Sequence, residues 1–150
     1  MPLTNKGGIV MYSVGVDIAK EKSVAAILTE YGEIVAAPKT YEHTRQALLE
    51  LSNNIRSLGG EVRIVLEATG AYHFPVVTFL QEQGFFVSVV NPLIIKKYAA
   101  INLRKVKTDA ADALKIASYG VDNWRHLTTI FRQKKYTKKC VCLTASICIT

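Results

Sequence analysis

Residues 12–40, "YSVGVDIAKEKSVAAILTEYGEIVAAPKT", decide the fold. "YSVGVDIA" (12–19) is a short apolar run with valine at alternate positions, the pattern of a buried strand. "KEK" follows as a turn, and "SVAAILTE" (23–30) reads as a second strand. "YGE" then makes a tight connection into "IVAAPKT" (34–40). Three short strands joined by brief turns predict an antiparallel meander.

After residue 40 the period changes. Ala47, Leu48, Leu51, Ile55 and Leu58 recur at helical spacing, and Gly59-Gly60 ends that helix. "EVRIVLEATG" (61–70) is a strand running into a glycine turn. "YHFPVVTFLQEQG" (72–84) is a helix stopped by Gly84, with Pro75 tolerable only in its first turn. "FFVSVVNP" (85–92) is a strand whose aromatic and β-branched residues suit a central position, broken by Asn91-Pro92. "LIIKKYAAINLRKVK" (93–107) reads as a short helix and then a loop. "TDAADALKIASYG" (108–120) is a helix with Thr108 as N-cap and Gly120 as its stop. The order β-β-β-α-β-α-β-α places a meander ahead of βαβ units. It predicts an α/β fold, a mixed five-stranded sheet flanked by helices. That order fits the ribonuclease-H-like architecture, and also one half of the actin-like sugar-kinase fold.

Length and composition bound the rest. The 150 residues suit one domain, and 49% apolar residues are enough for a real core. No apolar run reaches the roughly 18–20 residues of a membrane span. "MPLTNKGGIVMYS" has no apolar signal-peptide core, so a cytoplasmic protein without a membrane partner is expected. Residues 1–11 read as a flexible lead, and Met11 could serve as a second start. The cysteines, Cys140, Cys142 and Cys148, sit together near the end of the chain, which argues against a disulfide framework. Without a histidine close by they are also a poor zinc signature.

The net charge of +7 is unevenly placed: residues 1–90 carry −2 and residues 91–150 carry +9. Segregation of that kind suggests an electrostatic footprint for phosphates. The competing reading is a solvated basic tail, since Arg132 to Lys139 alone supplies five charges.

Against that basic background stand four carboxylates on separate elements. Asp17 ends the first strand and Glu67 the fourth, and in this topology the two strands would be neighbours. Asp109 and Asp112 lie one helical turn apart, with Cβ atoms roughly 5–6 Å from each other. Ligands in mixed α/β sheets gather beyond the carboxyl ends of parallel strands. Four converging carboxylates would repel one another or take up protons, and a hard divalent cation, Mg²⁺ or Mn²⁺, removes that problem. Two such ions can hold the attacking and leaving oxygens of an in-line phosphoryl displacement. Singly, each acid also has a plain reading, as a strand end, a solvated loop residue or a helix-start residue favoured by the dipole.

"VGVDIAKEKSVAAI", "LEATGAYHFPVVTFLQEQGFFVSVVNPLIIKKYA" and "KVKTDAADALKIASYG" closely resemble the N-terminal domain of DEDD-type insertion-sequence transposases, the "IS one-ten" group. The resemblance runs from about residue 12 to 121, with its motifs in the family's order. It implies a ribonuclease-H-like fold similar to RuvC-type Holliday-junction resolvases. It also implies that Asp17, Glu67, Asp109 and Asp112 match the family's metal ligands and catalytic acids. It further implies a DNA transposase or recombinase with divalent-metal-dependent phosphodiester chemistry. The implied partners are double-stranded or branched DNA, an element-encoded bridging RNA and other copies of the chain. Lys96, Lys97, Arg104, Lys105 and Lys107 precede the aspartate pair and would grip backbone phosphates, or else are solvated loop charges.

Family members also carry a C-terminal domain with a nucleophilic serine, for which this sequence shows no counterpart. Ser146 matches no motif of that kind. The expectation is a folded domain over 12–121 and a basic tail over 122–150 that begins a truncated helical linker. Tyr72 is expected as a helix-start aromatic, His73 as a surface histidine and Trp124 as a packing residue or a contact to the missing half. Two other functions compete. One is a nucleic-acid-binding and assembly module, catalytically incomplete on its own. The other is an actin-like phosphotransferase, for which "VGVDIAK" offers a superficial likeness but no glycine-rich phosphate loop follows.

Overall fold

The computed structural model describes residues 8–102 and 109–129, except that the side chains of Asn102 and Asp109 are not included. The expected meander is present. Strands β1 (Met11–Ile18), β2 (Lys22–Thr29) and β3 (Ile34–Glu42) pair antiparallel in sequence. Thr29 shapes the second turn, its Oγ1 accepting from the amides of Tyr31 and Glu33, while Gly32 takes the positive φ of 81° that the turn needs. Helix α1 (Arg45–Arg56) begins where the Thr44 hydroxyl accepts from the Ala47 amide, which leaves Tyr41 and Glu42 to β3. Strand β4 (Glu61–Glu67), helix α2 (His73–Glu82) and strand β5 (Phe86–Val90) complete the sheet, in the order β3-β2-β1-β4-β5. The β1–β4 and β4–β5 pairs are parallel.

Two expectations change. Among the described residues β5 is an edge strand of this sheet, not a central one. Its apolar residues are explained by helices on its two faces: Val87 faces the α1–α2 side, and Val90 faces the other side. Residues 92–102 form the expected helix, α3 (Pro92–Asn102), and the loop expected after it lies outside the described residues. Pro92 stands at its first position, Asn91 Oδ1 accepts from the Leu93 amide at 2.9 Å, and Ile95 is buried against the sheet. Gly120 does not stop the last helix, α4 (Asp109–Asp122), but lies within it. A Cβ at Gly120 would come within 3.0 Å of Ser13 Oγ and of a Val65 methyl, so the glycine marks close packing rather than a cap.

Strand alternation sorts the two faces. Tyr12, Val14, Val16 and Ile18 of β1, with Ala25, Ile27, Ile64, Leu66 and Val87, form the main core under α1 and α2. Ser13, Gly15 and Asp17 therefore point the other way, toward α4. There Val24 and Ala26 pack with Ala113, and Val65 and Val90 pack with Ile95, Ile116 and Leu127. Gly15 lets α4 lie directly on β1: a Cβ there would meet the Ala113 carbonyl oxygen and the Ala117 amide nitrogen at less than 3.0 Å. Beside it Ser13 Oγ, fully buried, donates to the Ala117 carbonyl at 2.8 Å.

The end of α4 is clamped as well. Tyr98 of α3 meets Tyr119 edge-on at 5.5 Å and its hydroxyl donates to Asp122. Burial, and then that carboxylate, push the Tyr98 hydroxyl above its ordinary pKa. Arg63 of β4 sits between the rings of Phe86 and Trp124, at 4.8 and 4.6 Å, and donates to the Trp124 carbonyl. Trp124 is thus a packing residue, in the short 3₁₀ turn Trp124–His126. Among the described residues no helix is long and apolar enough to cross a membrane.

Two glycine variants test this packing. Gly15→Ala meets rigid backbone and is expected to cost about 3 kcal/mol or more in chemical denaturation. Gly120→Ala meets a serine hydroxyl and a valine methyl, which can shift, and gains about 1 kcal/mol of helix propensity. Gly120→Ala is therefore expected to be the milder change, and equal losses would refute this account of the β1–α4 contact.

Candidate nucleic-acid and metal site

The carboxyl ends of the parallel strands carry the candidate acids. Val16 of β1 is in register with Leu66 of β4, so Asp17 and Glu67 are the next residues on adjacent parallel strands. Both alternate onto the face that α4 covers, and both are partly buried. Asp112 lies in the first turn of α4, immediately before Ala113, whose backbone rests on Gly15 two residues short of Asp17. Three acids distant in sequence thus come to one end of one sheet face.

Glu67 registers the consequence. Its carboxyl is pushed above the ordinary range, first by burial, then by the field of Asp112, while Lys96 pulls it back. Asp112 and Lys96 therefore both act on Glu67. Asp112 in turn accepts from Lys115 at 2.7 Å, a pairing at i,i+3 that the sequence reading passed over although the spacing announces it. Among the described residues no three His, Cys, Asp or Glu side chains stand close enough together to hold a metal ion. The donors are nevertheless carboxylates, the kind a hard divalent cation takes.

The other expected residues distribute as follows. Lys96 and Lys97 are exposed on α3, which leaves the strand next to Glu67. Asp109 starts α4, but its side chain lies outside the described residues, as do Thr108, Arg104, Lys105, Lys107, Ser146 and the three cysteines. Tyr72 is exposed just ahead of α2, as expected of a helix-start aromatic. His73 is not a surface residue: it is 8% exposed, and its Nδ1 has no hydrogen-bond partner among the described residues. Its position on the inward face of α2, with Val76, Val77 and Leu80, accounts for the burial. The i, i+3, i+4, i+7 spacing of those four residues was the available signal.

Comparison with known proteins agrees with this architecture. A protein-family model described as "Transposase", that of the DEDD transposases of the IS110 group, matches residues 14–140. Two relatives are pilin gene-inverting proteins, from Moraxella lacunata (29% identical) and Moraxella bovis (28%), each over 140 aligned residues and 84% of this chain. The chain spans 42% of the length of each of those relatives. Among solved structures, Thermus thermophilus RuvC superposes with a TM-score of 0.57 and 14% identity, covering 79% of this chain and 98% of RuvC. The same protein in complex with a Holliday-junction substrate gives 0.56 and 13%, covering 77% and 96%. At such identities the likeness is one of fold, and the fold is RuvC-like, within the ribonuclease-H-like class. With a family match over residues 14–140, most of its length, the chain belongs to the DEDD transposase family of the IS one-ten (IS110) group.

Proposed function

We propose that this chain supplies the acidic, divalent-metal-dependent half of a DNA transposase or recombinase site. The observation that carries the reading is positional: Asp17 and Glu67 end neighbouring parallel strands on one face, and Asp112 comes off α4 near enough to act on Glu67. Like charges drawn together at a half-buried sheet end are costly unless protonated or neutralised by a cation. In this reading Asp17, Glu67, Asp109 and Asp112 hold Mg²⁺ or Mn²⁺. Bound there, the cation would supply charge neutralisation for the phosphodiester oxygens. The chain's own residues orient the strand. Lys96 and Lys97, with Arg104, Lys105 and Lys107, attract backbone phosphates to the acidic end without reading sequence. Lys115 balances Asp112 until the cation replaces it.

The relatives' printed names, pilin gene-inverting proteins, fit rearrangement of double-stranded DNA, and RuvC's complex fits branched DNA. A bridging RNA and assembly of several copies belong to the same reading through the family. Residues 12–121 are taken as the acid-bearing domain and 122–150 as the start of a basic linker. A second reading is favoured by the chain's share of its relatives' length: a binding and assembly module whose chemistry needs residues from elsewhere.

Incubation of the purified chain with Mn²⁺ and branched DNA separates the two. Cleavage that Asp17→Asn and Glu67→Gln each reduce at least about a hundredfold supports the catalytic reading. Binding without cleavage, unchanged in both variants, supports the module.

Thermal unfolding gives an independent test. A carboxyl held above its unfolded pKa costs stability when ionised, and the cost disappears as pH falls through the folded pKa toward the unfolded value. Metal-free Glu67→Gln is therefore expected to melt higher than the parent at neutral pH, with the difference vanishing on acidification. Added Mn²⁺ is expected to reverse the order, because it stabilises the parent and not the variant. A Glu67→Gln melting difference that is independent of pH and of Mn²⁺ would remove Glu67 from the site.

A further inference from the structure

Helix α4 runs back along β1, away from the acidic end of the sheet: Ala113 meets Gly15, and Gly120, farther along, meets Ser13. Asp112 therefore stands on a turn of α4 near the strand ends, and Lys115 stands one turn farther from them. The Lys115 ammonium donates to Asp112 Oδ1 at 2.7 Å. Its side chain is only 19% exposed, against 39% for that of Asp112. Lysine heads ordinarily keep to solvent, so a charge covered to this extent is held by protein rather than by water.

That contact ties Asp112 to its own helix. Asp17, Glu67 and Asp112 share one end of one face, yet among the described residues no three acids stand close enough together to hold a metal ion. The field of Asp112 nevertheless reaches Glu67. Asp112 is thus near the other acids but engaged by Lys115. A divalent cation and an ammonium repel each other and compete for the same carboxylate. For Asp112 to serve as a metal ligand, the lysine has to let go. Lys115 is then a partly buried cation without its carboxylate, which is costly unless another anion takes that place.

We propose that Lys115 is a resident counter-ion that leaves Asp112 when a divalent cation binds and passes to a DNA phosphate, so that metal and DNA each strengthen the binding of the other. The inference rests on the functional reading above and adds the coupling between its two ligands. An ammonium on a flexible stem makes charge-assisted bonds to phosphate and carboxylate oxygens alike. DNA gives the displaced charge a new partner, and the cation releases that charge for DNA. Such coupling is reciprocal: the gain in metal affinity brought by DNA equals the gain in DNA affinity brought by the metal. Without DNA, Lys115 holds Asp112 neutralised and restrains metal loading. The acidic site is then completed only when a polyanion is present.

Calorimetric titration of the whole chain with Mn²⁺, with and without a saturating regular DNA duplex, tests this coupling. Lys115→Met keeps an unbranched, helix-favouring side chain and removes the charge. Without DNA it is expected to bind Mn²⁺ about three- to tenfold more tightly than the parent. With the duplex bound the two affinities are expected to converge, so the coupling is smaller in the variant. Lys115→Arg keeps a cation beside Asp112 and is expected to bind Mn²⁺ no more tightly than the parent. Lys39→Met removes an equal charge from the exposed Lys39–Glu50 pair and is expected to leave Mn²⁺ affinity unchanged. A merely structural Lys115 predicts the opposite sign, because an untethered Asp112 would bind Mn²⁺ more weakly. Weaker or unchanged Mn²⁺ affinity in Lys115→Met, an equal gain in Lys39→Met, or undiminished coupling overturns the proposal. Should Lys115→Met misfold by circular dichroism, Lys115→Gln carries the same test. Those outcomes leave the acidic metal site standing. A parent chain that binds no Mn²⁺, with or without DNA, sinks both readings.

Discussion

The close contact between α4 and β1 governs the rest of the molecule. Without a side chain at Gly15, the backbone of α4 comes down onto the strand at Ala113 and Ala117, and the Ser13 hydroxyl ties the Ala117 carbonyl in place. Any larger residue at Gly15 would lift the helix. Because Asp112 directly precedes Ala113, the same contact sets how far Asp112 stands from the strand ends that carry Asp17 and Glu67. Packing and electrostatics are therefore linked through one backbone approach. The core fixes the helix, and the helix presents its acid.

That presentation is costly. Burial and the field of Asp112 raise the Glu67 carboxyl, and Lys96 and Lys115 offset part of the cost from either side. A fold that maximised stability alone would not bring acids to one sheet end. Local conflicts of this kind concentrate at functional sites, where a ligand completes the charge balance. The rest of the molecule is conservatively built, with an apolar core on one face, clamps of Arg63 on Phe86 and Trp124, and the Tyr98–Asp122 bond securing the far end of α4.

The uneven charge of the chain acquires a spatial meaning in this arrangement. The first ninety residues, slightly acidic, build the sheet and two of the acids. The remaining sixty, strongly basic, supply α3, α4 and the tail. Lys96 and Lys97 bring that positive charge to the strand ends.

Several features could be read from the sequence because they depend on neighbours along the chain. Period-two valines marked β1, helical spacing marked α1, and the family's acidic positions stood out by resemblance. Other features depended on what packs from a distance. Gly120 reads as a helix stop in one dimension, yet it is a helix-interior contact because Ser13 and Val65 lie beneath it. β5 reads as central because helices cover its faces, yet it is an edge because no further strand among the described residues pairs with it. His73 reads as exposed, yet α2 turns it inward with Val76 and Leu80. The sequence by itself determined the element order, the fold class and the family, since local periodicity and motif order carry them. Only the tertiary structure decided that Asp17, Glu67 and Asp112 share one end of one face and that Asp112 acts on Glu67. Register, strand order and the Gly15 approach are properties of packed surfaces, and no local pattern encodes them.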